Sequence, residues 1–342
     1  MKNYDIIIIG GGPAGSTLAR LLDKKLSVLL INYNEKVKPC GGLLAPDAQR
    51  VLARMNLTLQ KEVLVDPQIF SVRIIDLETG FQRWYQRMYI NLDRNKFDDW
   101  LLNMVSSNVE VINGRCVDIN GGLVKYILSG KVNEVKGSII VGADGANSIV
   151  RRKCFKPIQT RTYTAIQKWF FEDKINATPF YSCIFDSKTS DCCSWTISKD
   201  GYLIFGGAFP KHNSKKRYEK QREKLEKFGI NLDKPIKTEE CLVLRPRFTG
   251  SFVLGNDKTF LIGEAAGFIS PSSLKGISSA FNSAIALSES LSKGSNVLKT
   301  YKRKTLKLRA WLALKNLKCP FMYNPFLRKI VMKSGIGSIN IN

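Results

Sequence analysis

The start of the chain constrains its fold most: the apolar strand Asp5–Ile9 runs directly into Gly10-Gly11-Gly12-Pro13-Ala14-Gly15. The G-x-G-x-x-G spacing, placed between a strand and a helix, marks a nucleotide-binding βαβ unit. Gly10 permits the sharp turn, Gly12 lets backbone approach a pyrophosphate, and Gly15 allows close helix–strand packing. Phosphates would sit at the helix N-terminus, where free N–H groups and the helix dipole favour negative charge. The acidic residue expected about 20 positions on, to hold a ribose, is replaced by Asn32, with Glu35 close by.

Beyond this unit, nucleotide-type and strand-rich segments alternate. The expected fold class is α/β, a Rossmann-like domain interleaved with a mixed-sheet substrate domain and followed by a helical tail. The expected boundaries are 1–65, 93–155 and 240–297 for the nucleotide domain, 66–92 and 156–239 for the substrate domain, and 298–342 for the tail. A chain of 342 residues can bury two such cores. Its longest apolar runs are too short to cross a bilayer, and it opens on a strand with no room for a signal peptide, so a cytoplasmic location is expected. Eight cysteines include no C-x-x-C pair, and the one histidine, His212, lies in a basic stretch, so no metal site is expected. The cysteines read as reduced and mostly buried.

A formal charge of +24 points to anionic partners such as lipid surfaces, polyanions or acidic small molecules. A codon bias enriching Lys, Asn and Ile together accounts for it equally well, and no specific nucleic-acid partner is expected. Residues 299–333 hold eleven Lys or Arg and no acidic residue. Leu308, Trp311 and Leu312 fall at helical spacing there. The tail is therefore expected either to lie peripherally on the anionic inner face of a membrane or to pack its apolar stripe on the body.

Two further motifs specify the dinucleotide. Asp144-Gly145 stands in "VGADGANSIVRR", and Gly263-Glu264-Ala265-Ala266-Gly267 precedes "FISPSSLKGISSAF". With the first motif these resemble the three fingerprints of FAD-dependent enzymes built like the aromatic hydroxylases and geranylgeranyl reductases. The resemblance implies FAD, held by Gly10, Gly12, Pro13, Ala14, Gly15, Asn32, Asp144, Gly145, Gly263, Glu264 and Gly267. Glu264 stands where the group usually has Asp. Arg94 matches the pattern Arg-x-x-Phe-Asp, whose arginine approaches the cofactor. Gly276 and Ile277 would open a helix aimed at the flavin pyrimidine ring, where a helix N-terminus stabilises the anionic reduced state. Lys275, just before it, replaces a glutamate common among relatives and is expected to face solvent.

Longer strings, among them "KPCGGLLAPDAQR", "SWTISKDGYLIFGGAFP" and "GEAAGFISPSSLKGIS", are similar to the CbrA family, a branch of the geranylgeranyl-reductase-like flavoproteins, from residue 3 to about 337. The implied activity is hydride transfer from reduced flavin to a carbon–carbon double bond of an isoprenoid or other apolar lipid substrate. A flavin monooxygenase or halogenase is an alternative, and a flavin-bearing membrane or polyanion binder is another. One dinucleotide fingerprint is visible, so electrons would come from NAD(P)H bound transiently or from a redox protein. Trp195, Tyr202 and Phe205, with Phe209, lie in the segment that similar reductases place over the flavin, although any half-buried strand shows the same alternation. Cys40 lacks partner ligands for a metal and a base for nucleophilic attack. The resemblance leaves it as a flavin-facing thiol that orients substrate or passes a proton, or else as a bystander.

Overall fold

Ile6, Ile7, Ile8 and Ile9 are each at most 4% exposed, as a strand covered on both faces requires. The computed structural model describes residues 1–33, 39–157, 160–172, 177–247 and 249–340. Glu35, weighed as a ribose ligand, lies outside the described residues. The chain opens with β1 (Lys2–Ile9), α1 (Pro13–Leu21), β2 (Val28–Asn32), β3 (Leu43–Leu44), α2 (Pro46–Arg54), β4 (Ile69–Asp76) and β5 (Gln82–Asn91). Next come α3 (Arg94–Asn103), β6 (Val109–Asn113), β7 (Arg115–Asn120), β8 (Leu123–Leu128), β9 (Lys131–Gly142) and α4 (Ile149–Cys154). They are followed by β10 (Arg161–Phe171), β11 (Phe180–Asp186), β12 (Ser190–Lys199), β13 (Tyr202–Pro210), α5 (Ser214–Leu225), β14 (Lys237–Arg245) and β15 (Thr259–Leu261). Five helices close the chain: α6 (Ile277–Leu291), α7 (Val297–Lys304), α8 (Leu306–Leu314), α9 (Cys319–Tyr323) and α10 (Pro325–Ser334).

Two compact units emerge. The first comprises residues 1–37, 95–161 and 244–314. Its sheet runs β6-β2-β1-β9, all parallel, with β15 parallel to the end of β9. The start of β9 instead carries the antiparallel meander of β8 and β7. Helix α6 packs on α1, and the Ser288 hydroxyl donates to the Leu21 carbonyl at 2.8 Å. Tyr301 on α7 is fully buried and donates to the Leu261 carbonyl at 2.9 Å.

The second unit comprises residues 38–94, 162–243 and 315–342. Its sheet has the order β14-β10-β13-β12-β11-β4-β5-β3 and is mixed, because β11 and β4 pair in parallel between antiparallel neighbours. Helix α5 covers one face, where Tyr218 and Leu225 pack on Ile166, Phe170, Phe205 and Phe209.

The observed division moves two expected boundaries. Residues 39–65 belong with the substrate sheet, because Leu43 and Leu44 pair with β5 and Ala45 packs on Ile69, Val72 and Tyr89. The tail is not a separate segment. Leu308 and Leu312 join the core of the first unit, and residues 315–342 join the second. All eight cysteines are free thiols, but only Cys192 and Cys193 are buried; the other six are half-buried. No helix among the described residues is long and apolar enough to cross a membrane.

Candidate functional site

The glycine turn sits between β1 and α1 in the first unit. Gly10 has φ +106°, and a Cβ there would come within 2.6 Å of the Ala143 carbonyl oxygen. A Cβ on Gly15 would lie 1.9 Å from the Gly10 oxygen, so helix and strand touch backbone to backbone. Gly12 differs: among the described residues nothing stands within 4 Å of its Cβ position. Pro13 occupies the first turn of α1, Ala14 is buried, and no side chain caps the N-terminus. Asn32, at the end of β2, accepts the Gly11 N–H at 3.0 Å, and Ser16 donates to the Gly11 carbonyl at 2.6 Å. Asn32 thus orders the turn. Open space at Gly12 and an uncapped helix start are what an anion site at a helix N-terminus needs.

The two other motifs close on this turn. Asp144 Oδ2 accepts the Ile149 and Val150 N–H groups at 2.7 and 3.3 Å, capping α4. Its Oδ1 is buried without a hydrogen-bond partner among the described residues. Burial pushes this carboxyl up, against the Ser148 and backbone hydrogen bonds it accepts. Gly145 follows at φ +70° with open space at its Cβ position, and Gly267 turns at φ +88°. A Cβ on Gly263 would meet the Ala14 methyl at 2.9 Å, so the third motif packs directly on α1. Glu264 Oε1 accepts the Leu244 N–H at 3.0 Å, so the carboxylate braces the start of this segment. Gly276 and Ile277 open α6, whose N-terminus carries neither a side-chain cap nor an acidic residue in its first turn. Lys275, just before it, is half-buried. Arg94 opens α3 at the end of a second-unit segment and is half-buried.

Arg151 is a residue that motif reading passed over. It is 9% exposed and donates to the carbonyls of Ala146 and Ala265, the latter at 2.7 Å, so one guanidinium ties the second motif to the third. Its place in "NSIVRR" marked it only as one of two neighbouring cations.

In the second unit, the face of the sheet opposite α5 gathers the other candidates. Trp195 pairs with Gly206, and a Cβ there would lie 2.6 Å from the indole nitrogen, so the ring lies flat across β13. The Trp195 indole N–H points to Gln167 Oε1 at 3.4 Å, and Gln167 donates on to Glu239 at 3.1 Å. Glu239 also accepts the Trp169 indole N–H at 2.7 Å and pairs with Lys237. Tyr202 lies on this face, with its ring 6.1 Å from Trp169 and 5.5 Å from Phe171. Phe205 does not. It is fully buried against Tyr218 on the α5 face, with Phe209, and neither meets the Trp195 face. Adjacent strand positions point to opposite faces, so Trp195 opposite Gly206 sends Phe205 the other way.

The Cys40 loop crosses the Trp195 face. A Cβ on Gly41 would meet Ile197 at 2.7 Å and the Trp195 indole nitrogen at 3.5 Å; one on Gly42 would meet Lys199 Nζ at 2.7 Å. Cys40 Sγ accepts the Gly42 N–H at 3.4 Å and is half-buried. Lys199, 4% exposed, donates to Asn91 Oδ1 at 2.6 Å and to the Leu92 carbonyl at 2.7 Å. Burial pushes its ammonium down to about 8, with Cys40, Asp93 and Asp200 acting the other way. Lys199 was also missed, though the alternation Trp195, Ile197, Lys199 puts it on Trp195's side of β12.

No family model matches the chain. The protein CbrA of Escherichia coli O6:H1 is 46% identical over 351 residues, covering 99% of this chain and 95% of that protein. The chain belongs to the CbrA family. Among solved structures, a geranylgeranyl bacteriochlorophyll reductase-like protein from Thermoplasma acidophilum superposes with a TM-score of 0.78 at 18% identity, covering 97% of this chain and 91% of that one. PqsL of Pseudomonas aeruginosa, a probable FAD-dependent monooxygenase, superposes with a TM-score of 0.70 at 15% identity, covering 98% and 100%. This CbrA-family chain therefore has the fold of the FAD-dependent oxidoreductases and monooxygenases.

Proposed function

We propose that the chain is an FAD-dependent oxidoreductase that reduces a carbon–carbon double bond of an isoprenoid or similarly apolar compound. One observation carries the cofactor reading: the open space at Gly12 before an uncapped α1, with the orphaned Asp144 Oδ1 in the same unit. When bound, FAD supplies hydride-transfer chemistry from its isoalloxazine ring. Gly12 to Gly15 would hold the pyrophosphate through the N-terminus of α1. Asn32 stands where such units hold the adenosine ribose. Asp144, Gly145, Gly263, Glu264 and Gly267 shape the loops that meet that turn, and the family resemblance alone carries Arg94 as a cofactor-side cation. Gly276 and Ile277 would offer the uncapped N-terminus of α6 to negative charge on the reduced ring.

In this reading the substrate lies on the Trp195 face of the second sheet. Trp195 and Tyr202 offer apolar bodies with polar tips, and the Gln167–Glu239 chain fixes the Trp195 ring. Reduction of a double bond needs one proton besides the hydride, and Cys40 donates or relays it. The reductase-like neighbour supports this reading, and the likeness to PqsL supports a monooxygenase on the same scaffold as the second one.

The test is to reduce the purified protein without oxygen and add geranylgeraniol. The expected result is flavin reoxidation and a product heavier by two hydrogens, slowed in Cys40→Ala at unchanged flavin content. Reoxidation only on admitting air, with an oxygenated product, would overturn the reductase reading in favour of the monooxygenase. Equal rates in wild type and Cys40→Ala would make the thiol a bystander.

A further inference from the structure

The last stretch of the second unit turns large apolar side chains outward. On α10, Arg328 and Met332 face inward: Arg328 is 3% exposed and pairs with Asp76 at 3.0 Å and Glu78 at 2.7 Å, and Met332 is 2% exposed. The opposite arc carries Phe326, 70% exposed, and Ile330, 53% exposed, one helical turn apart, with Lys329 and Lys333 beside them. Upstream, Leu317 and Phe321 repeat the same four-residue spacing and are 68% and 53% exposed, next to exposed Lys318. Helices that pack on a protein body hide their apolar stripe. Here the buried side is anchored by an ion pair, and large apolar groups are left outside among lysines.

We infer that residues 315–334 form a docking surface for an anionic lipid bilayer, with Leu317, Phe321, Phe326 and Ile330 entering the headgroup boundary and the lysines meeting lipid phosphates. Aromatic and aliphatic groups set among lysines are the composition of interfacial helices. Charge decides the occupant. No acidic residue occurs after Glu289, so a second copy would bring the same positive segment to this face and be repelled. A nucleic acid would match the charge but leave the apolar groups in water. The inference stands apart from the substrate reading, since it needs neither flavin turnover nor an isoprenoid.

The test is flotation of the full-length protein with vesicles of phosphatidylglycerol and phosphatidylcholine, or of phosphatidylcholine alone. Binding is expected only with the anionic lipid and is expected to weaken as salt rises. The variant Phe321→Ser, Phe326→Ser, Ile330→Ser should partition about tenfold less, as should Lys318→Glu, Lys329→Glu, Lys333→Glu. Both should keep wild-type circular dichroism and flavin absorbance. Equal flotation of variants and wild type, or no flotation with the anionic vesicles, would overturn the inference. So would concentration-dependent self-association, or RNA binding, that the triple serine variant abolishes while flotation stays unchanged.

Discussion

Lys199 sits where an ammonium is costly: nearly all of it is removed from water, and the groups it donates to, Asn91 Oδ1 and the Leu92 carbonyl, are neutral. Its folded value of about 8 lies below the ordinary 10.5. Between those two values the unfolded chain binds a proton that the folded chain does not, so stability contributed at this site rises with pH. We expect urea midpoints of wild type and Lys199→Met to diverge in the wild type's favour between pH 8 and pH 10. Parallel midpoints across that range would show that the ammonium is not desolvated. The residue scale is also where sequence reading worked best and failed most plainly. Gly10 and Gly15 were legible because their role is backbone geometry, which motif spacing encodes. Phe205 was grouped with Trp195 but lies on the α5 face, because both faces of its strand are buried and apolar character alone does not say which face a residue takes.

Among elements, α10 is tied to β4 by the buried ion pair of Arg328 with Asp76. Burial alone would push the Asp76 carboxyl up, but the Arg328 guanidinium and local backbone donors outweigh it and hold it below the ordinary carboxylate range. Arg328 also reaches Glu78 and stacks over Phe185 at 5.4 Å. Removing one member of a buried pair leaves the other charged and unpaired, so Arg328→Met should cost about 3–5 kcal/mol in chemical denaturation. A loss under about 1 kcal/mol would mean that water already solvates the pair. Nothing in the local sequence announces this contact, because Asp76 and Arg328 are 252 positions apart. The same non-locality explains the misplaced boundary at 39–65: α2 looks like the next element of a nucleotide unit, yet the two-residue strand before it pairs with β5.

At the scale of the whole molecule, the nucleotide unit was legible almost throughout, since its three motifs each carry local backbone requirements. The substrate sheet was legible as strand-rich but not as to which residues share a face, which depends on register. Arg151 and Lys199 were passed over because each acts through carbonyl groups set by tertiary packing. FAD held at the open glycine turn underlies the proposed activity. Gly12→Ala is its sharpest probe, because the apo chain has room for the methyl while a bound pyrophosphate would not, and Gly15→Ala, whose methyl would strike the Gly10 oxygen, serves as the contrast. The decisive measurement is therefore the flavin released from purified wild type and Gly12→Ala, identified by mass spectrometry, alongside their melting temperatures. FAD from the wild type and a loss of about tenfold or more in Gly12→Ala, at a melting temperature equal to that of the FAD-stripped wild type, is the result expected. Wild-type protein without FAD, or a Gly12→Ala variant that retains it fully, would contradict the account.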